Sequence, residues 1–215
     1  MRKSISKAEQ NRRFTFAFEL VFETKGRKKN WEHIFSLWYS AAMAGHVRAQ
    51  FYVGTCFDHG NGVTKNTEEA FKFYLKAAAQ GHRDSQYNIG FFYREGELVK
   101  QDYKKAVHWF SLAALKGLID AQRDLGYCYF YGNGVKKDFE NAVFWYKRAA
   151  RKKDPKALYN LGLCFKCGEG VTQSYRWAKH YFEEASKYGH KRAKSQLKNY
   201  FNHQQFKNTC LKTFQ

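Results

Sequence analysis

The 215 residues contain one proline, Pro155. Proline is the strongest single breaker of helices, so almost nothing interrupts helical patterning, and 19% aromatic content is too apolar for a disordered chain. A long apolar run is also missing. The most apolar stretch, Phe14 to Phe22, is broken by Thr15 and Glu19 and is far too short to span a bilayer. The N-terminus, MRKSISKAEQNRRF, carries basic residues with no apolar run of signal-peptide length behind them. A soluble, cytoplasmic protein is expected, which is compatible with delivery by a signal-independent secretion route. Acidic residues are scarce, with 19 Asp and Glu against 38 Lys and Arg and a formal net charge of +19. Such a field attracts anionic partners: acidic proteins, nucleic acid or an anionic membrane surface.

Catalytic signatures are absent as well. The Gly-x-Gly steps follow apolar helical patterns and lack the Gly-Lys-Ser/Thr ending of a phosphate loop. No nucleophile, base and orienting group assemble from the sequence, so a non-catalytic protein without cofactor or metal is expected. Cys164 and Cys167 stand close on one predicted helix, but no second Cys/His pair at matching spacing completes a zinc site.

What is present is a repeat. A shift of 36 residues aligns the chain on itself without insertion from Gly45 to Gly189. Gly54, Gly90, Gly126 and Gly162 share one column; Gly60, Gly96, Gly132 and Gly168 share another; Val63, Val99, Val135 and Val171 form a third. Ala49, Val53 and Phe57 recur at helical spacing, with a glycine that admits a close neighbour. Ala70, Phe73, Tyr74, Ala77 and Ala78 form the matching stripe of a second helix. Between them, turns such as HGNGV and YGNGV supply glycine where the first helix must end with positive φ, and the valine closes the turn. One such hairpin cannot bury its own faces, so each must stack on the next. The predicted fold is all-α: a right-handed superhelical solenoid of 36-residue helix–turn–helix repeats. Asp154-Pro155 reads as an N-cap followed by the first helical position.

SQYNIGFFYREG, AQRDLGYCYFYGNGV and NAVFWYKRAA resemble the Sel1-like repeats, short-turn relatives of the tetratricopeptide repeats. Four complete repeats run over 46–81, 82–117, 118–153 and 154–189. Residues 1–45 read as a degenerate N-terminal capping repeat, with Arg13, Phe18 and Arg27 where Ala, Gly and Val are expected and no glycine turn before Gly26. Residues 190–215 read as a C-terminal capping helix, with Lys198 in place of the glycine, and a tail. Some secreted relatives pair cysteines across a hairpin. Here Cys56, Cys128 and Cys164 share a first-helix column and no second helix carries a partner, so buried free thiols and no disulfides are expected. His46, His82 and His190 occupy the step between repeats, a position that argues for a structural role at the helix start.

The resemblance also implies where binding would occur. In tetratricopeptide arrays the first helices line a concave groove, at positions two, five, nine, twelve and thirteen when the glycine is eighth. Carried over, those positions are Arg48, Phe51, Thr55, Asp58 and His59; then Asp84, Tyr87, Phe91, Arg94 and Glu95. The third repeat contributes Asp120, Arg123, Tyr127, Phe130 and Tyr131, and the fourth Lys156, Tyr159, Leu163, Lys166 and Cys167. Arg192 and Asn199 would extend the set. Aromatic and Arg side chains are the usual anchors of protein recognition. The expected partner is an acidic protein or peptide segment, centred on Tyr87, Arg123, Tyr127 and Tyr131. Nucleic acid bound through the basic surface, and peripheral attachment to anionic membranes, are the alternatives.

Overall fold

The computed structural model describes residues 5–22 and 28–198. Gly26, Arg27, Asn199 and Cys210 lie outside the described residues. The described chain is all-helical in consecutive pairs. The helices are α1 (Lys7–Phe22), α2 (Trp31–Met43), α3 (Val47–His59), α4 (Thr67–Ala79) and α5 (Arg83–Glu95), followed by α6 (Tyr103–Leu115), α7 (Ile119–Tyr131), α8 (Phe139–Ala150), α9 (Pro155–Cys167) and α10 (Tyr175–Lys187). A further helical stretch, α11, covers 191–198. No helix among the described residues is long and apolar enough to cross a membrane.

Each hairpin is specified locally. Asn66, Asp102, Asp138 and Ser174 cap the second helices, their side chains accepting N–H groups of the first turn. The backbone N–H of each of these caps returns to the preceding first helix, as from Asn66 to the Phe57 carbonyl (2.8 Å) and from Ser174 to that of Phe165 (2.8 Å). First helices end on a left-handed glycine, Gly60 at φ 75° and Gly132 at φ 78°. In the first repeat the Gly60 and Asn61 N–H groups both return to the Cys56 carbonyl, satisfying a helix end that would otherwise leave it orphaned.

The glycine column inside the first helices is explained by contact. A Cβ on Gly54 would stand 2.6 Å from the Tyr74 ring, and one on Gly126 would stand 2.7 Å from that of Tyr146. Gly90 and Gly162 face Phe110 and Phe182 at 2.7 and 2.5 Å. Hydrogen at these positions lets an aromatic side chain of the second helix lie flat on the first. The alanine columns fill the same seam: Ala49, Ala70, Ala77 and Ala142 are completely buried.

The chain divides into two compact units, Met1–Lys116 and Gly117–Gln215. In the first unit, Phe14, Val21, Ile34, Trp38, Val53 and Phe73 form a core, with Val63 packed against it. A second cluster joins Ala70, Tyr74, Ala78 and Ile89. The second unit has two clusters, one around Tyr146 and Leu161 with Val171 against it, the other around Leu158, Phe182 and Ala193. Cys56, Cys128 and Cys164 are buried free thiols, and no disulfide occurs among the described residues. Burial pushes Cys56 and Cys164 up to about 12, so they are unreactive packing groups.

Candidate interaction surfaces

The first-helix residues singled out by sequence divide into those that serve the fold and those that stay presented. At Phe51, Arg123 and Tyr159, position five turns toward the start of the next repeat. Phe51 stacks on His82 at 4.6 Å, Tyr159 on His190 at 4.2 Å and, in the capping pair, Phe14 on His46 at 4.5 Å. Arg123 makes the same reach with charge, donating to Asp154, the N-cap of α9, at 3.3 Å. It also binds Asp124 (2.9 Å) and Asp120 (2.7 Å). Its side chain is only 13% exposed. Burial acts to lower its pKa, but the carboxylates of Asp124, Asp120 and Asp154 outweigh that and raise it. Tyr87 packs on Phe110 at 5.5 Å.

Two of the histidines at these steps do what a helix start requires. His46 and His82 accept the N–H of Ala49 (3.1 Å) and Ser85 (3.3 Å) through Nδ1. Leu118 starts α7 with no side-chain cap. His190 Nδ1 is buried without a hydrogen-bond partner, and its ring is held by Tyr159. Asp154 caps α9, with Pro155 at the first helical position.

Positions nine and thirteen behave differently. Phe91 is 41% exposed, Tyr127 45% and Tyr131 57%. Tyr127 and Tyr131 lie one turn apart on α7 with ring centroids separated by 4.4 Å, and Phe130 packs edge-on to Tyr131 and to Phe139. With Leu163 and Asn160 they line a small recess of about 50 Å³ in the second unit. In the first unit Arg94 lies over the Phe91 ring at 4.8 Å and pairs with Glu95 at 2.7 Å. Asp58 at position twelve is drawn into the hairpin by the Tyr74 hydroxyl, which donates to it at 3.5 Å. Thr55 is half-buried and hydrogen-bonds the Tyr52 carbonyl, whereas His59 is exposed. Lys156 is exposed, and Lys166 reaches Gln196 of α11 at 3.0 Å.

Arg48 and Asp84 at position two open onto a cleft of about 490 Å³ in the first unit. Its other basic walls, Arg83 and Lys116, are not groove positions of the repeat, and sequence reasoning missed them. The α5–α6 hairpin returns the end of α6 to the start of α5, and stacking on the preceding hairpin adds Arg48 of α3, a convergence that helical periodicity alone does not supply. Also unforeseen were the exposed aromatics of the second helices, Phe144, Tyr175 and Trp177. Among the described residues no group of three or more His, Cys, Asp or Glu side chains could hold a metal ion.

The Sel1 repeat family model matches residues 47–82, 83–118, 119–154 and 155–190, well over half of the chain. The chain belongs to the Sel1 repeat family. Among solved structures, this Sel1-repeat protein is similar to one from Oxalobacter formigenes, with a TM-score of 0.76, 33% identity and coverage of 84% of this chain and 74% of the other. It is also similar to a protective antigen of uropathogenic Escherichia coli strains that displays the same repeat fold, with a TM-score of 0.83 and 28% identity over 90% of this chain. The chain spans 42% of that antigen's length. An immunity protein from Pseudomonas aeruginosa shares the fold at a TM-score of 0.54 and 21% identity, covering 88% of this chain and 68% of the other. No curated protein sequence matches the chain. Sel1 repeats form scaffolds that generally mediate protein interactions and are usually non-catalytic.

Proposed function

We propose that this Sel1-repeat protein is a non-catalytic cytoplasmic adaptor that binds an acidic protein or peptide segment along its first-helix faces. The observation that carries the reading is the pair Tyr127 and Tyr131. These two rings stay about half exposed side by side, although folding buries nearly every aromatic of the hairpin seam. Rigid aromatic surface binds with little entropy to freeze, and Phe91 under Arg94 offers the same chemistry in the first unit. A net charge of +19 directs that surface toward acidic partners. The guanidinium of Arg123 on the same helix is occupied by carboxylates of the fold.

The test compares wild type with a Tyr127→Ala/Tyr131→Ala variant, first in affinity capture and then by calorimetry with the captured protein. The expected result is a loss of about tenfold or more in affinity, the scale of a binding hot spot. Unchanged affinity in the double variant would overturn the reading. So would captured material that nuclease removes or that proves to be anionic lipid.

A further inference from the structure

The cleft of the first unit combines features that the repeat pattern does not require. Arg48 comes from α3, Arg83 from the start of α5, and Lys116 from just beyond α6, and the three converge on one opening. Asp84 is the one carboxylate among the lining residues and stands 3.5 Å from Arg83. His82 lies in the wall as a neutral ring, because its Nδ1 accepts the Ser85 N–H and burial lowers its pKa. Three cations and one carboxylate leave the cleft with a local charge of about +2 near neutral pH.

The cations are held in place. The Arg48 guanidinium lies 4.7 Å from the Phe14 ring and 5.2 Å from that of Phe18, which fixes its plane. The Lys116 ammonium donates to the Gly81 carbonyl, one residue before the His82 cap. Beneath them the stacked Phe51 and His82 rings supply an apolar floor. The N-terminus of α5 opens into the same space and adds its own positive potential.

We propose that this cleft recognises a phosphoryl group carried on a side chain of the protein partner. The assignment rests on the adaptor reading for the partner's class and on the cleft for its chemistry. A phosphomonoester brings close to two negative charges and three acceptor oxygens, matching the local charge and the three cationic side chains. A carboxylate brings one charge and two oxygens, and would leave one cation unmatched. Guanidinium groups suit tetrahedral oxyanions because their N–H groups form a rigid fork.

Fluorescence anisotropy with the full chain tests this, using three probes: an acidic peptide with one phosphoserine, the same peptide with serine, and inorganic phosphate as competitor. The phosphopeptide is expected to bind about tenfold tighter than the serine peptide, a difference of about 1.4 kcal/mol. Arg48→Gln and Lys116→Gln should each erase most of that ratio, and Asp84→Asn should increase it. Lys136→Gln makes the same charge change in the other unit and should leave the ratio intact. Circular dichroism of each variant separates site loss from unfolding. Equal binding of the two peptides, or a ratio that falls as far in Lys136→Gln as in Arg48→Gln, would overturn the proposal. Inorganic phosphate binding as tightly as the phosphopeptide would overturn its protein-borne source. The adaptor reading fails separately, if the serine peptide of a true partner binds Tyr127→Ala/Tyr131→Ala as well as wild type.

Discussion

Arg123 shows how one side chain can be read two ways. By repeat position it belongs to the binding face, yet Asp120, Asp124 and Asp154 enclose it. Removing it would take the guanidinium away from the largely buried Asp124 and Asp154 carboxylates. Arg123→Ala is expected to destabilise the protein by about 3 kcal/mol, measured by urea denaturation, because an unpaired buried charge costs more than a pair contributes. Arg123→Lys should fall between the two, since one ammonium cannot replace a fork with three carboxylate contacts. His46 and His82 carry a second residue-scale consequence. Their pKa values are lowered in the fold, chiefly by burial, with Arg48 acting in the same direction on both. Asp84 opposes that shift at His82. A histidine depressed in the folded state contributes stability that is full above its ordinary value of 6.5 and is lost as pH falls through the folded pKa. Protonation also removes the Nδ1 acceptor that caps α3 and α5. The melting temperature should therefore drop between about pH 7 and pH 5. A His46→Asn/His82→Asn variant, with caps that do not titrate in this window, should lose markedly less.

At the element scale, the hairpin was almost wholly legible in the sequence. The glycine and alanine columns mark the seam because only small groups fit beneath Tyr74, Phe110, Tyr146 and Phe182. The capping residues mark helix starts because they act within three residues of themselves. The junctions between repeats carry one departure: Lys153 takes a left-handed φ of 65° where Gly45, Gly81, Gly117 and Gly189 take φ between 81° and 99°. It is the one non-glycine residue with positive φ among the described residues. Lys153→Gly should raise stability by about 0.5–1 kcal/mol, the relief of left-handed strain less the added freedom of the unfolded chain. An unchanged or lowered urea midpoint would show that the turn does not hold that strain. The next contact outward was hidden. Phe51 to His82, Arg123 to Asp154 and Tyr159 to His190 join residues 31 apart, a step set by how one hairpin rests on another. The complementary pairs are visible in the chain once the step is known, but no local periodicity supplies it.

For the whole molecule, the basic excess is the property that every part shares. On the proposed reading, a field from a net charge of +19 would accelerate encounter with acidic partners over distances beyond any contact, and the tyrosine shelf and the basic cleft would set how long the complex lasts. Raising salt from about 50 to 500 mM should lower the association rate at least tenfold and change dissociation far less, as measured by stopped-flow mixing. A dissociation rate that carried most of the salt effect would place the charges within the contact instead. The sequence alone determined the 36-residue period, the helix pairs, their caps and seams, and membership of the Sel1 repeat family. Those features follow from interactions within one hairpin, which short spacing rules capture. Only the tertiary structure decided which first-helix side chains are presented. Position five is consumed by the fold, positions nine and thirteen are left to solvent in α7, and Arg48, Arg83 and Lys116 meet in one cleft. The reason is geometric: whether a side chain finds a neighbour or water depends on how successive hairpins stack, and that is fixed by packing summed over many residues.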